Sequence, residues 1–281
     1  MKETKQRAGA VRWLTGVGLF GLALVNLLPI AWGGLTSIKP ANAVLGYPPI
    51  IVGFEPTWDS YRTALGGSAW PALKISLFYS VVVTVLGLVI AVLCAYALDR
   101  IEFRFRRVIL FVIVACIPLS MGAATLLIPN YIYFSSLNVV NHWFTLPLIY
   151  LGLNLPLATW VMKGSMESVP RELDEAGRVD GASRMGVLFR VILPVCKPGL
   201  VAAGLFMFIG CWNEFVAGSV MVTDPGLRPI QVAIYQYISV LGRQWGPLTA
   251  AATLAVVPIL VVVIALGRYL ISGLTSGAVK G

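Results

Sequence analysis

Six apolar stretches, at 13–34, 75–98, 108–134, 144–162, 199–222 and 248–267, constrain this chain more than anything else in its 281 residues. A bilayer crossing takes about 20 predominantly apolar residues, so six crossings and their loops use up the chain and leave little room for a separate folded domain. Only 12% of the residues are charged, against roughly a quarter in soluble domains. A soluble enzyme, a nucleic-acid-binding module and a disordered regulator are excluded on that ground. The expectation is an all-α membrane protein with six transmembrane helices. The first stretch follows a basic start, as a signal peptide would. Its length of about 20 residues and the absence of a small-x-small cleavage site predict a retained helix instead.

The positions of the charges set the orientation. With the N-terminus inside, the inner segments hold Lys2, Lys5, Arg7, Arg12, Arg100, Arg104, Arg106, Arg107, Lys163, Arg171, Arg178, Arg184, Arg190, Lys197, Arg268 and Lys280. Only Lys39, Arg62, Lys74, Arg228 and Arg243 fall outside. That bias predicts both termini in the cytoplasm, and it makes most of the net charge of +9 a topological signal with no need of nucleic acid. The expected organisation is an N-terminus and first helix (1–34), an extracytoplasmic segment (35–74), a core of five helices (75–267) and a cytoplasmic tail (268–281).

Several local patterns carry no chemistry. Gly16-x-Gly18-x-x-Gly21 spells a dinucleotide fingerprint, but it lies within a membrane helix and lacks the strand that motif requires. Small residues there suit close helix packing. No phosphate-binding G-x-x-x-x-G-K-[ST] is present. The single histidine, His142, has no nearby nucleophile or second ligand type, and Cys94, Cys116, Cys196 and Cys211 have no C-x-x-C spacing. No catalytic residue, metal site, disulfide or cofactor is expected. Trp13, Trp32, Trp143 and Trp160 sit near span ends, where interfacial aromatics anchor helices.

In the outer segment, Thr57 is a helix N-cap, with Trp58, Tyr61 and Leu65 at helical spacing on one face. That face suits either a lipid interface or an external partner. Glu214, in Trp212-Asn213-Glu214-Phe215, is the one acid inside a predicted span. A carboxylate at that depth marks a pathway or a structural cap near the outer helix end, and the sequence leaves both open. Asn154 with Pro156, and Pro118 with Pro129, can open kinks that expose backbone carbonyls. Asn154, Trp212, Asn213 and Glu214 are the pathway candidates.

The inner loop 163–197 is the most informative stretch, with eleven of the 33 ionic residues. A helix starts near Pro170, with Leu173 and Ala176 on one face. Gly177 and Gly181 interrupt it, Asp180 caps a second helix, and Met185, Leu188, Phe189 and Ile192 form another apolar stripe closed by Pro194 and Pro198. A solvated linker rarely keeps two apolar stripes at helical period, so this loop is built to dock.

This loop resembles the signature of the inner-membrane permeases of binding-protein-dependent ABC importers, E-A-A, three residues, G, nine residues, I-x-L-P. Here it reads Glu175-Ala176-Gly177, Gly181 and Val191-Ile192-Leu193-Pro194, with Gly177 and Val191 as the two departures. Asp180-Gly181-Ala182-Ser183, Trp212-Asn213-Glu214-Phe215 and the last nine residues extend the likeness to the carbohydrate-uptake branch, the maltose-type G subunits. The resemblance implies a type I importer permease fold, whose first helix packs on a homologous second permease. It implies a coupling helix on an ATPase subunit, carried by Glu175, Ala176, Gly177, Asp180, Gly181, Ala182, Leu193 and Pro194. A tail with Leu274, Thr275 and Lys280 would reach between two ATP-binding subunits, which hold the ATP and magnesium. An outer loop with Asp224, Arg228, Gln231, Tyr235 and Trp245 would face an extracytoplasmic solute-binding protein. The implied function is sugar or oligosaccharide import by alternating access; an ion-coupled secondary transporter or channel is the alternative, and an intramembrane enzyme lacks the residues it needs.

Overall fold

Long apolar runs become helices because every backbone N–H and C=O must be satisfied locally where no water is present. The structure is a computed structural model that describes the backbone of 2–121, 123–239 and 242–278, and side chains over 13–119, 126–238 and 244–267. In chain order the helices are α1 (Lys2–Ser37), α2 (Ala41–Val44), α3 (Asp59–Gly66), α4 (Ala69–Arg100), α5 (Arg106–Met121), α6 (Ala123–Ser136) and α7 (Thr145–Glu167). There follow α8 (Glu172–Val179), α9 (Arg184–Val187), α10 (Leu193–Val195), α11 (Lys197–Asn213), α12 (Val216–Met221), α13 (Ile230–Tyr235) and α14 (Trp245–Ala278). Two short strands, β1 (Ile238–Ser239) and β2 (Gly242–Arg243), pair antiparallel.

Four helical segments among the described residues are long and apolar enough to cross a membrane: Trp13–Ser37, Ala69–Arg100, Thr145–Glu167 and Trp245–Gly267. A fifth is reached if Arg184–Val195 and Lys197–Asn213, bent by 83°, are taken as one. The expected crossing at 108–134 falls on α5 and α6, on either side of Gly122, which lies outside the described residues. The expected crossing at 199–222 is not one helix. Glu214 adopts an extended conformation at the end of α11 (φ −70°, ψ 121°), and α12 starts afresh two residues on.

The chain forms two units. The first comprises 1–69 and 234–256. In it the Ser37 and Tyr61 hydroxyls lie 2.8 Å apart, the Thr57 amide donates to the Ile38 carbonyl at 2.8 Å, and a Cβ on Gly246 would meet Ser60 Oγ at 2.5 Å. In α3 Ser60 and Ala64 are the buried residues, while Trp58 and Leu65 are exposed. The N-cap position falls on Trp58, with no side-chain cap bond, and not on Thr57 one residue earlier, whose Oγ1 accepts from the Asp59 amide at 3.2 Å. The apolar stretch of α1 is exposed throughout.

The second unit comprises 70–233 and 257–281 and holds the main core, built on α4, α7, α9, α11 and α12 with Tyr79, Tyr150, Met162, Leu188, Ile192 and Met207 among its buried residues. Glycines let α7 and α11 approach closely, as small residues do between membrane helices. A Cβ at Gly210 would fall 2.0 Å from Asn154 Oδ1, and one at Gly199 would fall 2.3 Å from Ser165 Oγ.

Candidate functional site: the coupling segment

The inner loop is neither a linker nor one continuous helix. Three acids, Glu172, Asp174 and Glu175, fill the first turn of α8 and Arg178 its last, each complementing the helix dipole. Gly181 then takes φ +81°. Its amide bonds to the Arg178 carbonyl, and the Ala182 amide to the Gly177 carbonyl, both at 3.0 Å. This paired closure stops the helix, and it needs a residue that tolerates the left-handed region.

Three expectations are corrected here. Gly177 lies inside α8 and does not interrupt it; it lets α8 approach α9, since a Cβ there would meet Val187 Cγ2 at 3.1 Å. Asp180 ends α8, whereas Ser183 caps α9 by accepting from the Gly186 amide at 3.1 Å, because the turn at Gly181 delays the next helix. Pro194 does not close the second helix. The chain passes through a π-helical turn (Leu188–Ile192) into α10 and bends only at Cys196, with Pro198 near the start of α11.

The segment has two faces. Inward, Val187, Leu188 and Ile192 are fully buried. Outward, Leu173 (39% exposed), Val179 (86%), Met185 (52%) and Phe189 (54%) face away from the core. The expected second stripe is therefore divided, with Leu188 and Ile192 inside and Met185 and Phe189 outside. Glu175 and Ala176 are exposed, as are Asp180 and Gly181; Ala182 and Leu193 are half-buried and Pro194 is exposed.

An ion network anchors the inward face. Arg100, at the end of α4, places Nε 2.9 Å from Asp174 Oδ2 and Nη1 3.2 Å from Asp99 Oδ2. Its Nη2 donates to the Val169 carbonyl at 2.7 Å and the Met166 carbonyl at 3.4 Å. Arg171 donates to the Asp99 carbonyl at 3.3 Å, and Arg106 Nη2 stands 3.9 Å from Asp99 Oδ1. Asp99, Arg100 and Asp174 are all buried. A small cavity of about 120 Å³ beside them is lined by Arg100, Arg171, Asp174, Glu175 and Arg178. Sequence reasoning missed Asp99 and Arg100, although an Asp-Arg pair closing an apolar run was their visible signal.

At the end of α11, Glu214 accepts from the Ala217 amide at 2.9 Å and the Gly218 amide at 3.3 Å, closing the start of α12. Asn154 donates to the Tyr150 carbonyl at 2.8 Å and lies 3.7 Å from Cys211 Sγ. Trp212 is buried and stacks on Phe208 with ring centroids 5.8 Å apart; Asn213 is exposed. The structure therefore sets Asn154 against Gly210 and Cys211 in the last turn of α11, with Asn213 and Glu214 at the α11–α12 break and the Asn213 side chain exposed.

Asp224 caps a short turn (Pro225–Leu227) by accepting from the Gly226 amide at 2.8 Å, and Arg228 donates to the Thr223 carbonyl at 2.8 Å. Gln231 is half-buried. Tyr235, exposed, and Trp245, half-buried, belong to the first unit. Asn141, also unanticipated, organises this loop: its Oδ1 accepts from the Thr223 amide at 2.7 Å and the Asp224 amide at 3.1 Å. Leu274 and Thr275 fall in α14 but beyond the described side chains, and Lys280 lies outside the described residues. Among the described residues no group of three or more His, Cys, Asp or Glu side chains is placed to hold a metal.

Residues 84–276, which include the whole of this segment, match the family described as "binding-protein-dependent transport system inner membrane component". The chain belongs to that family. Among its relatives are the sulfoquinovosyl glycerol transport system permease protein SmoH of Agrobacterium fabrum, 34% identical with 92% of this chain and 91% of the relative covered, and the trehalose/maltose transport system permease protein MalG of Thermococcus litoralis, 33% identical with 96% and 97% covered. The fold matches a chain of a bacterial ABC transporter involved in the import of the acidic polysaccharide alginate, with a TM-score of 0.78, 22% identity, and 94% and 98% of the two chains covered. The mainly helical architecture is thus that of an ABC importer permease, and membership of this permease family displaces the ion-coupled transporter as a reading.

Proposed function

We propose that the chain is one of two homologous permease subunits of an ATP-driven sugar or oligosaccharide importer, served by two ATP-binding subunits and an extracytoplasmic solute-binding protein. The chain itself does no covalent chemistry; ATP and magnesium are bound by the partners. Six crossings would follow from the six apolar stretches, and the placement of the basic residues supports both termini in the cytoplasm. The exposed apolar α1 would lie against the second permease. Docking of the binding protein on the loop with Asp224, Arg228, Gln231, Tyr235 and Trp245 would favour the outward-open state. The tail with Leu274, Thr275 and Lys280 would reach the ATPase pair. The names of both relatives above specify sugar-containing cargo, which supports sugar as the substrate class.

The observation that carries this reading is the two-faced coupling segment. Its inner face is locked into the permease by apolar packing and buried ion pairs. Leu173, Met185 and Phe189 are exposed on the segment, as is the acid Glu175. A rigid docked element of this kind converts closure of an ATPase dimer into rigid-body motion of helices. Glu175→Lys in the purified complex is expected to uncouple ATP hydrolysis from uptake. Normal binding-protein-stimulated hydrolysis together with normal transport in that variant overturns the assignment.

A further inference from the structure

α7 and α11 are joined to the coupling segment by the chain itself, so any displacement of the segment pulls on them directly. α4 has no such connection. It ends at Arg100, far in sequence from α8, and can follow the segment only through non-covalent contacts.

Those contacts converge on one guanidinium. Arg100 uses Nε for Asp174 on α8 (2.9 Å), Nη1 for its neighbour Asp99 (3.2 Å) and Nη2 for the Val169 carbonyl at the α7–α8 junction (2.7 Å). Its side chain is only 6% exposed. One turn earlier on α4, the Tyr96 hydroxyl donates to the Arg184 carbonyl at the start of α9 (3.4 Å). The last two turns of α4 thereby hold both helices of the segment.

Burying charges here is not needed for stability, since apolar residues of similar volume often serve as well or better. The planar fork of Arg100 does something that apolar packing does not: its Nε ion pair with Asp174 and its Nη2 hydrogen bonds to the Val169 and Met166 carbonyls tie α8 and the end of α7 to one point at the end of α4. We propose that Arg100 is the positioning residue that makes α4 move with the coupling segment, and that Asp174 is its counterpart on α8. This inference rests on the importer reading above.

The test is sugar accumulated per ATP hydrolysed by the full transporter, reconstituted with its binding protein. Arg100→Lys keeps the charge and loses the fork; Asp174→Asn keeps the shape and loses the charge. In each the ratio is expected to fall by about fivefold or more, the lower end of coupling between linked sites, while Asp174→Glu, which retains the carboxylate, keeps most of it. If either variant does not assemble, the other decides. An assembled Arg100→Lys or Asp174→Asn complex with the wild-type ratio overturns the proposal, even where total activity falls with the amount of complex, because a merely stabilising residue changes yield and not stoichiometry. A wild-type complex without ATP-coupled uptake would instead sink the importer reading itself.

Discussion

Replacing Gly210 by alanine tests the contact that joins α7 to α11. A Cβ at that position would lie 2.0 Å from Asn154 Oδ1 and 3.1 Å from its Cγ. Ordinary contact begins at about 3.5 Å, so the amide has to retreat by roughly 1.5 Å. It cannot do so freely, because its Nδ2 donates to the Tyr150 carbonyl at 2.8 Å. Losing that bond costs about 1 kcal/mol, and overpacking a tight interface adds about 1–3 kcal/mol. The combined destabilisation of about 2–4 kcal/mol corresponds to a fall in apparent Tm of at least about 4 °C for a chain of this size. The assay is thermal unfolding of the detergent-solubilised complex at a fixed scan rate, since the apparent Tm depends on that rate. Asn154→Ala should vacate the space the new methyl needs, so Gly210→Ala/Asn154→Ala should be more stable than Gly210→Ala alone. The two effects are non-additive because the residues touch. A single Gly210→Ala variant within 1 °C of wild type (about 0.3–0.5 kcal/mol at this size), or a double variant no better than that single one, refutes the packing argument.

Other positions give independent checks. Glu214→Gln should leave uptake nearly intact, because one amide oxygen still caps α12, whereas Glu214→Ala should lower stability by about 0.5–2 kcal/mol; abolished uptake in a stable Glu214→Gln complex would show that the charge itself works in the pathway. Ile192→Ala, in the fully buried inner face of the segment, should cost about 2–5 kcal/mol, read as Tm. Phe189→Asp, on the outer face, should change Tm of the isolated permease little, within about 0.5 kcal/mol, yet reduce capture of the ATPase subunit in a pull-down by tenfold or more. Equal capture would move the docking surface elsewhere. Asn141→Ala removes two hydrogen bonds to the 223–224 backbone and should cost about 2 kcal/mol, with proteolysis of that loop as the readout.

The helical class was legible because lipid allows few alternatives to a helix for a run of 20 apolar residues. The two helices of the 163–197 loop were legible because Leu173 with Ala176, and then Met185, Leu188, Phe189 and Ile192, fall at helical spacing among charged residues. Which stripe residue faces inward was not legible, because Leu188 and Phe189 are equally apolar, and only the π turn and the close approach at Gly177 decide between them. The break at Glu214 was half visible: an acid deep in an apolar run signals something, but choosing a cap over a pathway needs the amides of Ala217 and Gly218 in place. Arg100 escaped notice because its partners, Asp174 and the Val169 carbonyl, lie some seventy residues further on. Asn141 escaped for the same reason, and its left-handed φ of +67° is a conformation that asparagine tolerates but does not announce.

The most direct test of the account is transport by the assembled protein. The complex carrying a tag on this chain would be purified, reconstituted into liposomes, and supplied with its binding protein loaded with labelled sugar. The account predicts accumulation that requires both ATP and the binding protein and that is indifferent to proton or sodium gradients. Uptake that proceeds without ATP on an ion gradient alone, or purification of the chain without an ATP-hydrolysing subunit, contradicts it.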